Sequence, residues 1–221
     1  MELLEQIAHC IEFGKINLAS PYPPDMRGQE GADELTKRAL DEGLDPDRIL
    51  KDAMVIGMER VGIKFSQNKI FVPQMLMSAK AMSSAMQHIK PYFKAGTVKR
   101  KGRFLIGTVA GDLHDIGKNL VAMMVEGAGY EVIDLGVDVK SEKFISALQE
   151  YPGSFVGLSA LLTTTMVNME KIVADIRKEA SGIKILIGGA PVNTDFCMKI
   201  GADHYASDPQ GAVNYLNSVN A

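Results

Sequence analysis

Phe104-Leu105-Ile106-Gly107-Thr108-Val109, followed across Ala110 by Gly111-Asp112-Leu113-His114-Asp115-Ile116-Gly117, is the stretch from which the chain is best read. The apolar run reads as a parallel strand that empties into a loop. In that loop an Asp and a His stand two residues apart, with a Gly three residues after the His. Such a loop can hold an imidazole out towards a metal while the carboxylate orients its other nitrogen. Taken alone, the pair is what an ordinary solvated loop carries. Its weight comes from the rest of the chain, which supplies a matching second strand end and a helical lid.

Downstream, strands and helices alternate as in an α/β domain. Strands are expected at 104–109, 131–135, 155–159, 184–187 and, briefly, 204–206. Amphipathic helices are expected at 117–128, 141–150, 166–179, 194–200 and 209–218. Continuous apolar runs such as Ile185-Leu186-Ile187 fit a sheet covered on both faces. Five parallel strands with right-handed crossovers make a doubly wound, flavodoxin-like (Rossmann-like) sheet of order 2-1-3-4-5. Ligands then bind where the winding reverses, between the loops after strands one and three. The first is Gly111–Gly117. The second is Ser159-Ala160-Leu161-Leu162-Thr163-Thr164-Thr165, small and rich in hydroxyls. After strand four comes Gly188-Gly189-Ala190, which presents no side chain to bar a bulky group. Other doubly wound sites fit less well. A dinucleotide site needs GxGxxG at the first helix, and in a P-loop Gly117-Lys118 would be followed by Ser or Thr, not Asn119. A phospho-acceptor domain would need clustered aspartates, for which Asp112 and Asp115 are a poor match, and a lysine after the last strand.

Upstream of residues 91–102 the pattern is helical, with almost no strand signal. Leu3, Leu4, Ile7, Ile11 and Leu18 mark one face of a first helix, broken by Ser20-Pro21-Tyr22-Pro23-Pro24. A long loop reaches Gly31. A second helix covers Asp33–Asp41. A third opens at Asp45-Pro46, with Ile49, Leu50, Ala53, Ile56 and Val61 as its buried stripe. A fourth runs from about Pro73 to Ile89, ended by Pro91. The chain thus reads as a four-helix bundle at 1–93, a polar linker at 94–102 and a sheet domain at 103–221.

Composition narrows the function. In 221 residues the net charge is −3, and no basic run exceeds Lys99-Arg100-Lys101, which argues against nucleic acid as the main partner. No apolar stretch is long enough to span a membrane, and the N-terminus has no secretory pattern. Cys10 and Cys197 are isolated and read as packed thiols in a reducing cytoplasm. Thirteen methionines suit irregular or adaptable apolar surfaces. Glu126, Glu131 and Asp138 read as solvated charges, and His9, His88 and His204 as histidines with no ligand role.

Asp112-Leu113-His114-Asp115-Ile116-Gly117, then Ser159-Ala160-Leu161 with Thr163, then Gly188-Gly189, resemble the D-x-H-x-x-G … S-x-L … G-G signature of cobalamin-binding domains. Gly57-Met58-Glu59-Arg60-Val61-Gly62 … Phe65 and Phe71-Val72-Pro73-Gln74 … Ser78-Ala79 resemble the helical cap of methionine synthase and of corrinoid proteins in methyltransferase systems. The resemblance covers the chain apart from Ser20–Gly31. It implies a cobalamin or related corrinoid bound base-off/His-on, with His114 as the lower axial ligand of cobalt. It implies that Asp112 hydrogen-bonds the far nitrogen of His114, with Ser159 next in that chain, so that proton uptake is coupled to the oxidation state of the metal. The nucleotide tail would lie against Gly117, Ser159, Leu161, Thr163, Gly188 and Gly189, with Ala190 beside them. Gly111, Leu113, Asp115 and Ile116 complete the first loop. Phe71, Met75, Ser78 and Met82 would cover the upper corrin face.

These residues offer no nucleophile–base–acid constellation, so the hard chemistry belongs to the cofactor. The reading that follows is a cytoplasmic methyl carrier that is not catalytic alone. It would take a methyl group on Co(I) from a substrate-specific methyltransferase and present methyl-Co(III) to a second one that serves tetrahydrofolate or a thiol. A reductive activase is implied as a third partner. A barrel-type active site takes ~250 residues, more than the chain can add to its two domains. The 94–102 linker would be the hinge for cap opening. The alternative is a cobalamin-dependent sensor, for whose output domain the chain leaves no room. A subunit of a radical isomerase is a third reading, weakened by the cap. The Ser20–Gly31 loop reads either as a partner-recognition element, with an aryl methyl ether O-demethylase system as its setting, or as an insertion with no task, and these residues do not identify the methyl donor.

Overall fold

The computed structural model describes residues 2–180 and 182–220, so the outer limits expected at Met1 and Ala221 lie outside the described residues. The chain divides into two compact units: Met1–Arg100 with Gly127–Gly129, and Lys101–Glu126 with Tyr130–Ala221.

Among the described residues, the first unit holds four α-helices. Helix α1 (Leu3–Phe13) buries Leu4, Ile7, Ala8, Cys10 and Ile11, then stops at Gly14, whose φ of 75° is the left-handed cap that glycine adopts without strain. Leu18 therefore lies outside the helix and is exposed, a correction to the expected stripe. The segment to Gly31 is ordered around Lys15. This side chain is wholly buried, and its Nζ donates to the Ser20 carbonyl at 2.9 Å. A 3-10 turn at Pro24–Met26 follows, with Met26 buried. Helix α2 is Ala32–Asp41. Helix α3 runs over 46–66, α-helical at Pro46–Arg48 and Val55–Ser66 and π-helical over Ile49–Met54. Asp45 caps its start by accepting from the Asp47 N–H. Helix α4 (Val72–Lys94) passes through Pro91, where the sequence predicted an end. Proline there removes one N–H bond to the carbonyl four residues earlier. Both Pro91 and Gln87 are exposed, and the helix tolerates the lost bond on this solvent-facing side. Beyond α4 the polar linker is tied down. Val98 is buried, and the Arg100 guanidinium lies 4.0 Å from the Phe93 ring centroid.

The second unit is a five-stranded parallel sheet of order β2-β1-β3-β4-β5, as expected. Its strands are β1 (Arg103–Val109), β2 (Glu131–Val139), β3 (Phe155–Ser159), β4 (Ile185–Gly188) and β5 (His204–Tyr205). Helices α5 (Ile116–Gly127), α6 (Ser141–Glu150), α7 (Met166–Glu179), α8 (Thr194–Ile200) and α9 (Pro209–Val219) alternate with them. Asn193 and Asp208 cap α8 and α9 through their side chains. Leu105 and Val109 join a core with Phe144 of α6, Ile172 of α7 and Cys197 of α8. Phe104 and Ile106, on the opposite face of β1, look towards Leu120 of α5 and Ala212 of α9. Both faces are covered, which is why these strands read as continuous apolar runs.

Cys10 and Cys197 are buried and unpaired. Burial pushes the Cys10 thiol up to about 11 and also raises Cys197. Neither thiol is expected to react with a disulfide reagent at pH 8 in the native protein. Both should react once urea unfolds it, and fast native labelling would contradict this packing.

Candidate functional site

The histidine loop leaves β1 and turns at Gly111, whose φ of 81° favours glycine. Thr108, wholly buried, donates its hydroxyl to the His114 carbonyl at 2.8 Å and so ties the loop to the strand that feeds it. Asp112 is fully buried. Its Oδ1 accepts from the His114 N–H at 3.1 Å and from His114 Nδ1 at 2.7 Å. Its Oδ2 accepts from the Leu161 and Leu162 amides at 2.8 and 3.3 Å and from the Thr165 hydroxyl at 2.8 Å. Burial alone would push this carboxyl up. Hydrogen bonds from the Leu161 and His114 amides, the imidazole and Thr165 outweigh burial and hold it well below the usual carboxylate range. An ionised carboxylate can only accept, so Nδ1 carries a proton, and in the neutral ring Nε2 keeps a lone pair. The imidazole is about half exposed, and Nε2 has no hydrogen-bond partner among the described residues. The loops joined through Asp112 carry exposed Leu113, Ile116, Leu161 and Leu162, with Val167 on the first turn of α7. Exposed apolar side chains gathered on loops that one carboxylate ties together suit a binding surface.

Beside the loop, a cavity of about 370 Å³ opens between the ends of β1, β3, β4 and β5 and helices α5 and α9. Gly117, Ser159, Gly188, Gly189 and Ala190 line it, together with the apolar Phe104, Ile106 and Leu186. Three of its glycines are there for different reasons. A Cβ on Gly157 would come within 2.4 Å of the Phe104 ring, and one on Gly189 within 1.8 Å of the Ala160 carbonyl oxygen. A Cβ on Gly117 would meet nothing within 4 Å. Glycine in a helix costs up to about 1 kcal/mol relative to alanine. At Gly117 no contact among the described residues accounts for that cost, and a bound group is what such clearance would serve.

Three comparisons bear on what that is. A family model described as a B12 binding domain matches residues 102–213, and a second with the same description matches 28–90. The chain belongs to the B12-binding corrinoid proteins. It is 38% identical to "Corrinoid protein DSY3155" of Desulfitobacterium hafniense, over 84% of this chain and 88% of that one. It is 40% identical to the "Trimethylamine corrinoid protein" of Methanosarcina barkeri, over 83% and 87%. Its fold is similar to a chain in the crystal structure of the methanol:cobalamin methyltransferase complex MtaBC from Methanosarcina barkeri. That match has a TM-score of 0.83 at 29% identity and covers 99% of this chain and 79% of that one.

The corrinoid site was only partly legible. His114 and Asp112 meet as expected, and five of the residues read as a nucleotide groove line one cavity. Leu161 and Thr163 stand outside it, exposed on the 160–165 loop. Ser159 is not the next member of the hydrogen-bond chain. That place is taken by Thr165, whose loop folds back over Asp112, while Ser159 lines the cavity. The apolar surface expected on the cap is corrected too. Met75, Ser78 and Met82 are buried, with Ser78 donating to the Glu12 carbonyl at 3.1 Å, and only Phe71, at the N-cap of α4, is exposed. Lys118, Val121, Ser207 and Asp208 also line the cavity, and no local motif marks them for that place. Asp138, read as a solvated charge, accepts from the Gly111 N–H.

The residues present fit a corrinoid. A ring nitrogen without a hydrogen-bond partner among the described residues, exposed apolar side chains on the loops that flank it and a cavity of small-molecule size beside the loop are what such a group requires. Gly117→Ala is expected to raise the thermal midpoint of the cofactor-free protein by about 1–4 °C while weakening corrinoid affinity. A parallel rise in both would show that Gly117 has no ligand to clear.

Proposed function

We propose that the chain is the corrinoid-bearing methyl carrier of a multi-component methyltransferase system, with the cofactor base-off/His-on. When bound, the corrinoid supplies a cobalt centre that takes a methyl group from one enzyme and gives it up to another. The observation that carries the reading is the imidazole fixed through Nδ1 by a buried carboxylate, its Nε2 uncommitted, beside the cavity at Gly117. His114 would be the lower ligand. Asp112 holds its tautomer and orientation, and Thr165 with the Leu161 and Leu162 amides holds Asp112. The nucleotide tail would occupy the cavity lined by Ser159, Gly188, Gly189 and Ala190. Phe71 is the one exposed residue of the expected cap face and would be its contact with the cofactor, and residues 94–102 would serve as the hinge.

The partners are a substrate-specific methyltransferase, a second methyltransferase for tetrahydrofolate or a thiol, and a reductive activase. Relatives named for trimethylamine, and a structural relative from a methanol complex, support the carrier over the sensor. The test is reconstitution with hydroxocobalamin. Parent protein should show the visible spectrum of a histidine-ligated corrinoid, His114→Ala should not, and methyl transfer should require an added partner enzyme. Methylamine, methanol and O-demethylase partners form the arms that identify the donor. Identical spectra for parent and His114→Ala would refute the ligand, and turnover by the isolated chain would refute the carrier.

A further inference from the structure

Two residues of β2 have positive φ, Gly136 at 90° and Asp138 at 53°. Glycine adopts such angles freely, whereas an Asp there carries a cost that the surroundings must offset. The pairing of β1 with β2 shifts register between Ile106 and Gly107 and again between Gly107 and Val109, so β2 bulges here. A bulge re-aims side chains. This one turns Asp138 onto the histidine loop. Its Oδ1 accepts from the Gly111 N–H at 2.7 Å, and its own N–H donates to the Asp112 carbonyl at 3.0 Å.

Asp112 is thus gripped at two ends. Its carboxylate is held by the 161–165 loop and its backbone by β2. Each set of bonds leaves the other's atoms untouched. If the backbone end were loose, Gly111 would act as a swivel, and the carboxylate would carry the imidazole with it.

We propose that Asp138 is a positioning residue for His114, acting through the Gly111–Asp112 backbone. The role rests on the reading of His114 as cobalt ligand.

The experiment compares parent, Asp138→Asn, Asp138→Gly and His114→Ala. Asn keeps an acceptor and tolerates the left-handed region. Gly adopts the φ without strain and keeps the N–H to Asp112, but has no acceptor for Gly111. Two quantities are read: hydrogen exchange of the Gly111 amide in corrinoid-free protein, by NMR, and the ratio of histidine-ligated to unligated cofactor after loading with hydroxocobalamin, by visible absorption. Asp138→Gly is expected to speed Gly111 exchange and to lower the ratio by about two- to tenfold, the worth of one hydrogen bond. Asp138→Asn should match the parent in both. A parental ratio or parental Gly111 exchange in Asp138→Gly overturns the proposal, as does an equal loss in Asp138→Asn. The His114→Ala spectrum separates the two readings. If it matches the parent, the ligand assignment fails. If it changes while Asp138→Gly does not, only the positioning role fails.

Discussion

Asp112→Ala is expected to destabilise the protein by roughly 3–5 kcal/mol and to abolish the histidine-ligated spectrum. The carboxylate it removes accepts from three backbone amides, a hydroxyl and an imidazole. Alanine supplies no acceptor in exchange, and the site is closed to water because Asp112 is fully buried. Each donor stranded away from solvent costs about 1–3 kcal/mol. Relaxation of the exposed 161–164 segment recovers part of that sum. The loss has a pH signature. The folded carboxyl lies below the ordinary value of ~3.9, so its stabilisation is fully present above that value and is lost as pH falls towards the folded one. Asp203 works in the same direction. Burial raises its carboxyl, but bonds from the Ile185 amide and Arg177 outweigh burial and lower it. Urea melts should therefore show parent and Asp112→Ala far apart at pH 7 and converging as the pH drops below about 4. A constant gap down to pH 2 would contradict the assignment.

Gly189→Ala should be nearly as damaging, by roughly 2–5 kcal/mol, and damaging before any cofactor is added. The new Cβ would sit 1.8 Å from the Ala160 carbonyl oxygen, with the Ala160 carbonyl carbon and amide close behind. These are backbone atoms that cannot rotate away. The φ of 121° is itself one that alanine avoids. The strain falls where the loops after β3 and β4 touch, so circular dichroism melts of the cofactor-free protein should register it. Gly117→Ala has the opposite expected sign in that assay, since its Cβ points into open space. Equal, small shifts for both variants would mean that the loops part without cost.

The contrast between these glycines shows where sequence reasoning stops. Gly117, Gly188 and Gly189 look alike as letters, the last two reading as clearance for a bulky group and Gly117 as the end of the D-x-H-x-x-G signature. Which one clears a ligand and which one clears a neighbouring loop depends on atoms dozens of residues away. The same holds for Ser159 and Thr165. Both belong to one hydroxyl-rich loop, and only the way that loop folds back decides which hydroxyl reaches Asp112. Met75, Ser78 and Met82 stand at near-helical spacing along α4. Spacing does not say whether a face looks inward, and this one is buried.

By itself, then, the sequence determined what depends on near neighbours. Strand and helix periods yielded five strands alternating with helices, and the apolar runs of the inner strands marked a parallel sheet covered on both faces. Two residues' separation put the Asp112 carboxylate within reach of the His114 ring, because a tight turn at Gly111 leaves little choice. Tertiary structure alone decided what the carboxylate holds on its far side, which glycines face open space, and that a bulge in β2 brings Asp138 to the histidine loop. Those contacts join segments 27 to 53 residues apart. Their partners are selected by packing of the assembled sheet, which no local pattern encodes.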